Sequence, residues 1–292
     1  MLIEGQTFLA AAIVMHVFIA AGRLSLFAVF ACGMAWTSVE LVSAETPPST
    51  DQDQRGFAVV ELFTSQGCSS CPPADRVLRN IHTIATQRNL PVYVLSFHVD
   101  YWNRLGWKDP YSDPVWSKRQ REYAESLRSD RVYTPQLVVN GIDAFVGSNG
   151  RKAIAAINRG LAASPDVRLS ADIDLPVESD ETSPITVMVK LNFEGDSEPL
   201  DIHAAVVSTP AANEVPRGEN AGSTLAHVHV VRSLTTNSLS SGEHSMAVKV
   251  DAADLGKARL ILFAQHPRTF QIVAATSLAL PNGEATSAIA AQ

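Results

Sequence analysis

Cysteine is nearly missing from this chain, with three in 292 residues. That excludes a disulfide-stapled framework, in which many bridges replace a core. There is no second CxxC to complete a four-ligand zinc site. Basic runs are absent, and the net charge is −7. No nucleic-acid partner is expected of such a chain. Internal repeats are also absent. Aromatic residues make up only 7 %, so the grouping of Tyr101, Trp102, Trp107 and Trp116 within sixteen positions stands out.

Residues 1–44 differ from the rest. From Phe8 to Trp36 the one charge is Arg23, and Leu24–Trp36 is an apolar run of secretory-signal length. Val42-Ser43-Ala44 supplies small residues at a cleavage point. A signal peptide over 1–44 is therefore expected, with Met1 or Met15 as the start. An uncleaved anchor is the alternative, and Arg23 within the apolar run argues against it. Cleavage removes Cys32, Arg23, Glu4 and Glu40, and the only cysteines left are Cys68 and Cys71. The expected location is periplasmic or secreted, with no membrane association once the signal is gone. Residues 45–56 are polar with two prolines and read as a flexible leader.

The organising stretch is Gly67-Cys68-Ser69-Ser70-Cys71-Pro72-Pro73. Before it, Phe57–Phe63 is a buried-strand run. After it, Ala74, Val77, Leu78, Ile81, Ile84 and Ala85 recur at helical spacing. Pro72 and Pro73 suit the first helical turn. The two cysteines thus fall where a strand ends and a helix begins. Free N–H groups and the helix dipole there favour a thiolate, with Cys68 as the exposed, activated sulfur and Cys71 as its partner. A structural disulfide is the bland alternative, but so small a loop constrains the unfolded chain little.

A second strand follows at Pro91–His98, then the aromatic, turn-rich His98–Pro110. Asp113-Pro114 reads as an N-cap and first position of a helix to about Arg128, with Trp116, Gln120, Tyr123 and Leu127 on one stripe. Thr134-Pro135 leads into a third strand, Asn140-Gly141 turns it back, and Asn149 caps a last helix carrying Ile154, Ile157 and Leu161.

This order, with CxxC at the first helix start and Thr-Pro before the third strand, resembles the thioredoxin superfamily. The stretches Glu61–Asp75, His98-Val99-Asp100-Tyr101-Trp102, Thr134-Pro135-Gln136 and Arg217–Gly222 resemble the secreted bacterial domain-of-unknown-function family 1223. The resemblance implies that Cys68 attacks and Cys71 resolves. It implies a cis bond before Pro135, with Thr134 facing the disulfide and pairing with substrate. It implies Glu61 as the buried carboxylate. The dipeptide Ser69-Ser70 departs from the Gly-Pro or Pro-His of better-known relatives.

From Asp166 the period changes to two. Val167–Ile173, Ile185–Phe193, Leu200–Ser208, Leu225–Leu234, Met246–Val250, Ala258–Gln265 and Phe270–Leu280 read as strands. The expected organisation is a thioredoxin-like α/β domain with a helical insertion over 57–163, an immunoglobulin-like all-β sandwich over 166–280, and a tail at 281–292. His227 and His229 alternate onto one face of a strand, read as a solvent-facing polar side or a metal pair. The Arg217–Gly222 loop could instead lie against the redox domain and shape its entrance.

The expected activity is thiol–disulfide exchange, with the cysteine pair as its own redox centre. Partners would be a protein thiol or disulfide and a redox partner. The rival readings are a Cu(I)-handling protein using Cys68, Cys71 and His98, and a non-catalytic binding module.

Overall fold

The structure, a computed structural model, describes residues 56–174, 185–195 and 198–280. The expected signal peptide, all of the leader before Gly56, and the 281–292 tail lie outside the described residues.

The central strand β1 (Ala58–Thr64) is buried along its whole length, as its run of apolar and β-branched residues demands. It pairs in parallel with β2 (Val92–His98) and antiparallel with β3 (Gln136–Val139), which pairs with β4 (Asp143–Val146). Alternation sends Ala58, Val60 and Leu62 to one face. There they meet Ala74 and Leu78 of α1 (Pro72–Gln87) and Ala153 and Ile157 of α3 (Gly150–Ala162). Val59 and Phe63 point to the opposite face, in one core with Trp116 and Tyr123 of α2 (Pro114–Ser126). Both expected caps form: Asp113 accepts from the Val115 amide and Asn149 from the Lys152 amide.

The second half contributes β5 (Arg168–Asp174), β6 (Ile185–Glu194), β7 (Leu200–Ser208), the short β8 (Asn213–Val215) and β9 (Ser223–Leu225), then β10 (Val230–Leu239), β11 (Gly242–Val250), β12 (Arg259–Gln265) and β13 (Ile272–Ala279). An eight-stranded mixed sheet runs β13-β12-β7-β10-β2-β1-β3-β4, and β11-β6-β5 form a separate antiparallel sheet. Valines and Phe193 of β6 face Ile202, Leu260 and Leu262 across these two sheets. Residues 57–163 and 166–280 therefore share one sheet.

The seam is short. β10 joins β2 at Val230 opposite Ser96, and the Ser96 amide donates to His229 O at 2.9 Å. The His229 ring donates from Nδ1 to Val94 O at 3.1 Å. Thus the strand expected at Leu225–Leu234 begins only at Val230 and runs on to Leu239, because His229 takes a left-handed φ of 45° to enter the sheet. A second join forms at the Asn140-Gly141 turn. Gly141 has φ 74°, and a Cβ there would come within 1.7 Å of Phe270 O, so glycine is required.

Between the halves lies Arg119. Its Nε donates to Glu61 at 2.8 Å, and Nη2 to Tyr123 Oη at 3.1 Å and Gln265 at 3.3 Å. Its Cζ lies 5.6, 5.1 and 5.5 Å from the rings of Phe97, Tyr123 and Phe263. Burial opposes the charge, but the Glu61 carboxylate outweighs it and holds the guanidinium more basic than usual.

Replacing Arg119 by Leu strands the Glu61 charge, and urea unfolding should show a loss of about 3–5 kcal/mol. Replacing Glu61 and Arg119 together by Leu should recover part of it. Burial, then the nearby His82 charge, lower His229 from 6.5 to about 4. Between those values the unfolded chain binds more protons, so stability falls as pH drops through this window, by up to about 3 kcal/mol. Asparagine keeps an N–H donor and tolerates the left-handed backbone. His229→Asn should flatten the difference in unfolding free energy between pH 7.5 and pH 4.5.

Candidate functional site

β1 ends at Thr64, and the chain turns through Ser65–Cys71 before α1. The Cys68 amide donates to Ser65 O and the Cys71 amide to Cys68 O, at 3.2 and 3.1 Å. Cys68 and Cys71 form a disulfide, with Cα atoms 5.4 Å apart.

Two expectations change here. Cys68 is not exposed: both cysteines have 0 % accessibility, while Ser69 and Ser70 between them face solvent. Nor does the start of α1 offer free donors. Pro72 and Pro73 have no N–H, and the amides of Ala74 and Asp75 both donate to Cys71 O. The sulfur instead takes a hydroxyl. Thr134 Oγ1 donates to Cys68 Sγ at 3.3 Å, and the Trp102 indole donates to Thr134 Oγ1 at 2.7 Å. The Thr134–Pro135 bond is cis. Ser70 Oγ lies 3.3 Å from Cys68 Sγ and 3.4 Å from Thr134 O. A hydroxyl that is itself hydrogen-bonded donates more strongly, so Trp102 strengthens the donor that Thr134 aims at Cys68 Sγ.

The 216–222 loop between β8 and β9 packs against the backbone of this turn. Glu219 accepts from the Ser69 amide at 3.0 Å and the Ser69 hydroxyl at 2.7 Å. Those two donors hold its carboxyl below the usual range. Asn220 Nδ2 donates to Gln66 O and Cys68 O, both at 2.9 Å. Gly218, at φ 83°, lets the loop pass over Trp107, whose Cβ would be 3.5 Å from an added methyl. Trp107 in turn donates to Gln66 at 3.0 Å. The Arg217–Gly222 loop thus lies against the turn that carries the cysteines.

Beneath the turn is a buried polar group. Thr64 Oγ1 donates to Asp75 at 3.1 Å, and His227 Nδ1 stands 3.6 Å from the same oxygen. His98 Nδ1 meets Asp109 at 2.7 Å, and the His98 and His227 rings lie edge to face at 4.5 Å. Burial opposes ionisation of Asp109, but His98 and the amides of Gln66 and Tyr111 outweigh it, so its carboxyl titrates low.

The remaining expected residues separate. Glu61 points to the α2 face with Arg119 and Tyr123, the face opposite α1, because strand alternation places it one residue out of phase. His98 is committed to Asp109, and no group of three metal-ligating side chains exists among the described residues. His227 and His229 do not share a strand face. Both are buried outside any strand, His227 toward His98 and His229 toward His82, at ring distances of 4.5 and 4.2 Å. Trp102 stood out as one of the grouped tryptophans, but Glu219, Asn220, Asp75 and Asp109 were not picked out individually. Only their clustering with aromatic, glycine-rich stretches hinted at them.

A family model described as protein of unknown function, DUF1223, matches residues 59–265. The chain belongs to the DUF1223 family. Among solved structures it is similar to protein AGR_C_4864 from Agrobacterium tumefaciens, at 29 % identity and a TM-score of 0.56, covering 79 % of this chain and 97 % of that one. It is also similar in fold to HBP35 of Porphyromonas gingivalis, at 15 % identity and a TM-score of 0.57, covering 79 % and 78 %. No curated protein matches the chain. Within this DUF1223 member, the tested feature is the loop. Glu219→Ala removes both acceptor contacts to Ser69, and the rate of disulfide reduction by a phosphine, followed by thiol trapping, should rise roughly fivefold.

Proposed function

We propose that this protein is an exported thiol–disulfide oxidoreductase of thioredoxin-like type. Its catalytic half is built from β1–β4 with α1 and α3, and an immunoglobulin-like sandwich shapes the entrance. The observation that carries the reading is the Cys68–Cys71 disulfide with the Thr134 hydroxyl on Cys68 Sγ, set beside the cis Thr134–Pro135 bond. A purely structural bridge needs no donor aimed at one of its sulfurs.

In the reducing direction, Cys68 thiolate attacks one sulfur of a substrate disulfide. The substrate S–S bond breaks, one substrate thiolate leaves, and a mixed disulfide forms. Cys71 then attacks Cys68 Sγ, the mixed bond breaks, and the second substrate thiolate leaves. Two electrons pass from the cysteine pair to the substrate. A redox partner restores the dithiol, and the same steps reversed oxidise a substrate dithiol. Thr134 and the Trp102 indole behind it stabilise the Cys68 thiolate. Asp75 and His227 supply buried acid–base groups on the α1 side of the sheet. The pair is its own redox centre, and the signal-like N-terminus supports a periplasmic or secreted setting.

The burial of Cys68 adds a condition: a protein substrate reaches it only when the 216–222 loop lifts from Ser69. Redox titration of the purified protein, with metal analysis alongside, should give a reversible two-electron couple and no bound metal. Stoichiometric copper would count against the proposal. Peptide mapping after brief iodoacetamide treatment of the reduced protein should find Cys68 labelled before Cys71, and faster still in Glu219→Ala. Faster labelling of Cys71 reverses the assigned roles.

A further inference from the structure

Apart from the disulfide site, the molecule has a cleft of about 720 Å³ where α1, β2, β5, β12 and β13 meet. Its size is that of a small-molecule site. The charge of its lining is one-sided. Arg168, Arg259, His82 and His229 line it, and no aspartate or glutamate does, although the chain as a whole is at −7. Among the described residues, Arg259 hydrogen-bonds to the Ser277 hydroxyl at 3.1 Å, and Arg168, opposite Glu194 across the β5–β6 ladder, forms no ion pair. Thr86, Asn89, Thr276 and Ser277 add polar groups, and Leu90, Pro91, Leu169 and Ala275 add smaller apolar patches.

His229 is the built part of this cleft. Its backbone is left-handed at φ 45°, a conformation that costs a non-glycine residue free energy and is held by its surroundings. Its Nδ1 is spent on Val94 O, which leaves Nε2 as the unused ring nitrogen, and its ring lies 4.2 Å from that of His82.

We propose that this cleft binds a small amphiphilic anion, a carboxylate or phosphate head on a short apolar body, with Arg259, Arg168 and His82 around the head. A bare anion would leave most of the volume and the apolar patches at Leu90, Leu169 and Ala275 unused. The electrostatics agree. Burial first, and then the Arg259 charge, lower His82, and Arg259 also weighs on His229 and Tyr93. The groups facing His229 are His82 from α1, Arg259 from β12, and Tyr93 and the Val94 carbonyl from β2; Arg168 lines the cleft from β5. None is anionic at neutral pH. An anion seated there offsets the Arg259 field and raises both histidines. By linkage, affinity then rises as pH falls toward their titration range.

Calorimetric titration of the full chain with octanoate and octyl phosphate tests this, with inorganic phosphate and octyl glucoside as head-only and body-only controls. Saturable binding with Kd below ~1 mM is expected for the first two, at least tenfold weaker for both controls, and tighter at pH 6 than at pH 8. Arg259→Glu should weaken it at least tenfold, and Arg168→Glu, on a different strand, should weaken it independently. NMR titration of the His82 and His229 ring protons should show both pKa values rising with ligand bound. Absence of saturable binding, equal binding of octyl glucoside, equal binding of inorganic phosphate, or binding indifferent to both charge reversals overturns the proposal.

Discussion

One buried guanidinium holds the two halves in register. Arg119 reaches Glu61 on β1 and Gln265 on β12, and lies against aromatic rings from β2, α2 and β12. Such a charge is tolerated because a carboxylate and two further acceptors meet it. The consequences run down α2. Gln120, the next residue, donates to Tyr133 O and Gln136 Oε1, at 2.7 and 2.8 Å. These are the residues flanking Thr134 and Pro135. The pair that fixes α2 therefore also fixes the turn whose hydroxyl meets Cys68.

The disulfide sits at the meeting of four segments far apart in sequence: its own turn, the Trp102–Asp109 insertion, Thr134–Pro135 and the 216–222 loop. Asn220 and Glu219 bind the backbone of Gln66, Cys68 and Ser69, so the second half holds the shape of the turn as much as it covers it. Burial of a thiol disfavours its charged form, and a hydroxyl donor favours it. With Pro72 and Pro73 removing the usual amide donors, Thr134 and Trp102 carry the second effect. The loop contact nearest the cysteine turn, Glu219 on Ser69, is between two exposed residues.

Much of the fold was legible in order. Helices α1, α2 and α3 followed from apolar spacing and from the Asp113 and Asn149 caps, and most strands from alternation, because these signals are local. The strand expected from Leu225 failed for a non-local reason: His229 bends left-handed to donate to β2, and the sheet starts one residue later. Glu61 was ambiguous for a similar reason. A strand shows which residues share a face, but not which face receives α1.

The sequence by itself determined the chemistry available: one CxxC, set between a buried strand and a helix, with a Thr-Pro ahead of the third strand. Such features depend on neighbours along the chain. Tertiary structure alone decided that both sulfurs are covered, that Glu61 serves Arg119, that His227 and His229 part to different neighbours, and that one sheet crosses both halves. Each of these rests on hydrogen bonds or packing between residues 58 to 161 positions apart, and no local periodicity encodes such pairings.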